Sequence, residues 1–142
     1  MKKINEITST IGTQKFINHR LKSLKSEDIS GNVLDTMYVC ADDSESDVTI
    51  SVTITGNVIN GDTFAELEGV ELNSSTIPFL IGNNQEIKEK KLTLNKFVNG
   101  SEGEVCVLTV YVKGGYKNIP FHLTAKVNKS GVLDFFVTLK FI

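Results

Sequence analysis

The last third of the chain constrains the fold most. Val105–Val112, Ile119–Val127 and Val132–Ile142 are three apolar runs separated by short stretches that contain glycine and asparagine. In the middle run Ile119, Phe121, Leu123, Ala125 and Val127 fall on one side, and Pro120, His122, Thr124 and Lys126 on the other. A period of two is the mark of a strand with one face in a core and one in water. The flanking runs differ. Cys106, Leu108, Val110 and Val112 oppose Val105, Val107 and Tyr111, while Leu133, Phe135, Val137, Leu139 and Phe141 oppose Val132, Phe136 and Ile142. Both therefore carry apolar groups on both sides. The short gaps predict a hairpin-linked antiparallel meander that reads as strand to the final residue.

Upstream, Val33–Cys40 reads as a mixed strand, and Val48–Thr55 alternates strictly between β-branched apolar residues and hydroxyls. Gly56-Asn57 and Asn60-Gly61-Asp62 are turn signals around a short Val58-Ile59 pair. Phe64–Leu72 bears glutamates and suits a sheet edge. Pro78 confines Ile77–Ile81 to an edge or a strand start. Gly82-Asn83-Asn84 reads as a turn, and Ile87–Phe97 as a strand with a cationic middle. Regularly spaced strands of this kind predict an all-β fold: an antiparallel β-sandwich of about eight strands, jelly-roll or Ig-like, over residues 32–142. A chain of 142 residues holds one such core.

Residues 1–31 form a separate unit, a basic N-terminal arm and linker. Lys2, Lys3, Lys15, Arg20, Lys22 and Lys25 stand against Glu6 alone in the first 25 residues, a balance of +5. The whole chain sums to −2, so the rest carries −7. Ile17, Leu21 and Leu24 repeat at helical spacing beside Phe16, which predicts a short amphipathic helix over 13–25 with Thr13 as its cap. Ser26–Asn32 reads as a linker. No apolar segment follows the first lysines, so the sequence predicts a protein made in the cytosol without a signal peptide. No stretch is long and apolar enough to predict a membrane span.

Recognised catalytic patterns are missing from the sequence. His19 and His122, the two histidines, sit in different regions, and no nucleophile elbow, H-E-x-x-H or C-x-x-C occurs. Glu66/Glu68 and Glu102/Glu104 are i, i+2 carboxylate pairs predicted on strands. A glycosidase would need aromatic walls, and the chain has no tryptophan and three tyrosines (Tyr38, Tyr111 and Tyr116). Cys40 and Cys106 read as small buried hydrophobes. Asp42, Asp43, Glu45 and Asp47 crowd one loop and are the calcium candidates, although they lack the spacing and glycine of an EF-hand. Gly114-Gly115 lies in a hairpin and is no nucleotide cradle. With Arg20 the single arginine and an acidic body, specific nucleic-acid readout is disfavoured.

These features lead to an expectation of a non-enzymatic structural protein without a cofactor. It would be a self-associating homo-oligomer, or a docking subunit beside a neighbouring structural protein, in a large particle such as a virion capsid-decoration, fibre or tail component. The expected contact residues are Lys15, Phe16, Ile17, Arg20, Leu21, Lys22, Leu24 and Lys25 in the arm, with Phe136 and Ile142 on the last strand. The alternative is a β-sandwich module that binds a glycan or calcium.

Overall fold

In a computed structural model, residues 28–42 and 44–142 are described. Ten strands and one helical turn follow in order: β1 (Asp28–Ser30), β2 (Val33–Tyr38), β3 (Asp47–Thr55), β4 (Ile59–Leu67), β5 (Val70–Glu71), β6 (Phe79–Asn83), α1 (Asn84–Ile87), β7 (Lys91–Asn99), β8 (Val105–Lys113), β9 (Ile119–Lys126) and β10 (Val132–Phe141). They make two five-stranded sheets, ordered β1-β9-β8-β3-β6 and β2-β10-β7-β4-β5. A single apolar cluster fills the space between them. Val48, Ile50, Leu108, Val110, Phe121 and Leu123 come from the first sheet, and Leu92, Leu94, Phe135, Val137, Leu139 and Phe141 from the second. The fold is a β-sandwich.

Several expectations need correction. The terminal runs are all strands, but they are not a meander. β8 and β9 form a hairpin, whereas β10 crosses to the other sheet and pairs with β7 and β2. Alternation tells which side chains face a core and says nothing about which strand lies alongside. Nor is the sandwich purely antiparallel. β1 runs parallel to β9, and β2 runs parallel to β10. Residues 28–30, read from the sequence as linker, thus close one edge of the first sheet. Two residues, Gly31 and Asn32, then carry the chain to the edge of the second.

The strand number exceeds eight because two long runs break. Phe64–Leu72 divides at Glu68-Gly69, where both residues have positive φ (49° and 81°) and make a two-residue hairpin turn. Glu68 holds that turn through its carboxylate, which accepts from the Lys91 backbone N–H at 2.6 Å. Ile87 is not in a strand. Asn83 ends β6 and caps α1, accepting from the Glu86 N–H at 2.8 Å while Glu86 Oε1 accepts from the Asn83 N–H at 3.1 Å. This reciprocal pair starts a helical turn where a simple turn was expected. Asn60-Gly61-Asp62, also expected as a turn, lies inside β4 as a bulge. Gly61 is needed there, because a Cβ would strike the Phe97 backbone.

One end of the sandwich is tied by two buried polar side chains. Asn84, fully buried, accepts from the Ala41 N–H and donates to the Ser46 and Gly114 carbonyls, all at 2.9 Å. The β2–β3 loop, the β8–β9 hairpin and α1 are thereby joined. Tyr38 packs edge-on against Phe141, donates to Lys117 O at 2.7 Å and accepts from the Gly115 N–H at 3.0 Å. Burial pushes its phenol up to about 12.

Candidate functional site

One row on the outer face of each sheet shows how they differ, although the first sheet also leaves Leu80 and Val105 exposed. On the β1-β9-β8-β3-β6 sheet, Thr53, Thr109, His122 and Asp28 occupy one row across four strands. Thr109 Oγ1 and His122 Nδ1 are hydrogen-bonded at 2.9 Å. His122 therefore already has a strand-face partner. The other sheet is not like this. Its register sets Val33 beside Phe136, Phe136 beside Asn95, and Asn95 beside Phe64. Val33 is 57% exposed, Phe136 49% and Phe64 45%, so three of the four members of the row are large apolar groups in water.

The neighbouring rows carry acid. Asp35, Thr138, Thr93, Glu66 and Glu71 follow on one side, and Asp134 beside Phe97 on the other. Two hollows flank Phe136. A small one of about 170 Å³ separates it from Phe64. A larger one of about 680 Å³ extends from Phe136 and Asp134 to Ser30–Asn32, where the chain passes from one sheet to the other. An apolar stripe with acidic borders suits a partner that is apolar along its middle and basic along its sides.

Of the contact residues expected from the sequence, Phe136 lies at the centre of this row. Ile142 shares its face but stands six residues along β10, roughly 20 Å away at the rise of a strand. Its backbone is bonded to Tyr38 O and to the Cys40 N–H, which ties it to the β2 edge. Lys15, Phe16, Ile17, Arg20, Leu21, Lys22, Leu24 and Lys25 lie outside the described residues. Val33 and Phe64 were not singled out from the sequence. Each is an apolar residue at an outward position of its own strand, but the register that brings them to Phe136 is long-range.

No protein-family model, curated protein or solved structure matches this chain. The function must therefore be read from the residues themselves.

Asp42 is ion-paired with Lys88 at 3.1 Å on an exposed surface, Glu45 is exposed, Asp47 opens β3, and Asp43 lies outside the described residues. Among the described residues no three His, Cys, Asp or Glu side chains converge in a way that could hold a metal. Cys40 and Cys106 are free and buried in the core, and burial pushes both thiols up, which disfavours the reactive thiolate. Glu68 sits in the β4–β5 turn, and Glu102 and Glu104 precede β8, so neither carboxylate pair spans a strand. His19 lies outside the described residues. Among the described residues no helix is long and apolar enough to cross a membrane.

Proposed function

We propose that this chain is a non-enzymatic assembly subunit of a larger particle, such as a virion decoration, fibre or tail part. In this reading its copies join when residues 13–25 of one copy lie on the Val33–Phe136–Phe64 row of another. The observation that carries the reading is that row, an exposed apolar stripe crossing four strands between acidic borders. Charge decides what can cover it. Asp35, Glu66, Glu71 and Asp134 lie on that face against Lys91 and Lys140 one row further along, so the face is net negative and favours a basic cover over a second copy of itself. The first 25 residues carry +5 and present Phe16, Ile17, Leu21 and Leu24 between their lysines. They complement the stripe in both charge and apolarity.

Lys25 and Asp28 are three residues apart, at most about 11 Å of extended chain. Asp28 belongs to the first sheet, and the second sheet lies about 10 Å further on, with its outer side-chain layer beyond that. The chain's own residues 13–25 are thus the competing cover for this row, and a cross-linking experiment tells the two apart.

A zero-length carbodiimide cross-linker on a mixture of light and heavy-isotope full-length chains tests this. Lys15, Lys22 and Lys25 should link to Asp35, Glu66 or Asp134, with both isotopes in the linked peptides. Links confined to single-isotope pairs would mean that the segment covers its own sheet, and self-assembly by this route would be ruled out.

A further inference from the structure

Lys96 does not fit the surface it would be assigned to by charge. In β7 the residues facing the core are Leu92, Leu94, Lys96 and Val98, and Lys96 is 4% exposed. Its ammonium donates to Gly61 O at 2.7 Å, at the bulge of β4. An ammonium has three hydrogens, and Gly61 O takes one. Burial lowers its pKa, with Asp62 opposing that shift. The residue lines an open cleft of about 640 Å³ between the β4 bulge and the 71–77 segment, a size suited to a small organic ligand.

The cleft's charge narrows the choice of ligand. Asp62 and Glu71 also line it, so against one Lys96 the lining is net negative and disfavours an anion. A cation would meet the buried ammonium. What remains is a neutral molecule that accepts from Lys96 and donates to carboxylates. Asn60, Asn73 and Ser74 add neutral polar groups, and Phe64 and Ile77 supply apolar surface at the rim. A saccharide offers all of these at once, since each hydroxyl both donates and accepts and each ring has an apolar C–H face.

We infer that this cleft is a binding site for a neutral saccharide, with Lys96 as its buried donor and Asp62 and Glu71 as acceptors. The cleft adjoins the assembly surface and shares Phe64 and Glu71 with it.

Saturation-transfer NMR on the full-length protein tests the inference with cellobiose, chitobiose, lactose and maltose as probes and inorganic phosphate as the anion control. At least one disaccharide should receive saturation, and phosphate should show no line broadening. Lys96→Met keeps the apolar stem and removes the donor, so it should weaken that binding about tenfold or more. Glu71→Gln, an exposed rim change that leaves the fold alone, should weaken it less but measurably. The inference is overturned if no disaccharide is saturated, if phosphate binds instead, or if Glu71→Gln and a folded Lys96→Met bind as the parent does.

Discussion

On one outer face of the sandwich, Thr53, Thr109 and His122 lie side by side, and Thr109 and His122 satisfy one another. On the other, Val33, Phe136 and Phe64 occupy the equivalent kind of row, half in water. Both sheets have five strands and share one core, so the difference lies in the outward positions. A row of hydroxyls and imidazole loses little by staying wet. A face of large apolar groups gains about 25 cal/mol for each Å² that a partner covers. The contrast teaches where to look for a contact, and it can be attacked one residue at a time.

The largest effect should come from the frame that both faces share. Asn84→Ala removes three buried hydrogen bonds and leaves the Ala41 N–H without its acceptor. The expected loss is about 3 kcal/mol in chemical denaturation. Whatever fraction stays folded should keep the parent's association, because neither face is touched. Altered association at equal folded fraction would break the separation of frame from face.

Alkali tests the same frame through Tyr38, which is 1% exposed and has its phenol raised to about 12. The unfolded chain ionises first, near 10, so stability present below that pH is lost as pH rises towards 12, by about 2–3 kcal/mol. Both faces should melt together over that window. Tyr38→Phe should flatten this part of the pH profile while lowering stability at neutral pH by about 1–2 kcal/mol, through the lost bonds to Lys117 and Gly115.

The faces themselves come next. Phe136→Ser should weaken self-association by about 1.5–3 kcal/mol, or ten- to a hundredfold, with little change in unfolding midpoint since the ring is half-exposed. Thr53→Phe puts an aromatic on the polar face and should not create association that depends on residues 1–25, because that row lacks the acidic borders. The smallest effect belongs to Thr109→Val. It should cost about 0.5–1 kcal/mol by unpairing His122 and leave association as it was.

Much of this architecture was legible in the residues. Val48–Thr55 and Ile119–Lys126 announce strands by alternation, and Pro78 stands just ahead of an edge strand, as its missing N–H requires. Other signals were present and passed over. Asn83 and Glu86 have the spacing of a capping box, and Lys96 occupies an inward position between Leu94 and Val98. The Glu68-Gly69 turn was harder to see, because glutamate seldom takes positive φ and is held there by Lys91. Strand partnership was not legible. Nothing local in Val132–Phe141 says that it pairs with Lys91–Asn99 and not with β9, and for the same reason Val33 and Phe64 could not be joined to Phe136.

Sedimentation equilibrium of the full-length chain, the chain without residues 1–25 and the Phe136→Ser variant tests the central claim most directly. The account predicts a mass above one copy for the full-length chain and a single-copy mass for the truncated one. Phe136→Ser should fall between them, with an unchanged β-sheet spectrum in all three. A single-copy mass for the full-length chain at every concentration, or equal association in all three, would contradict it.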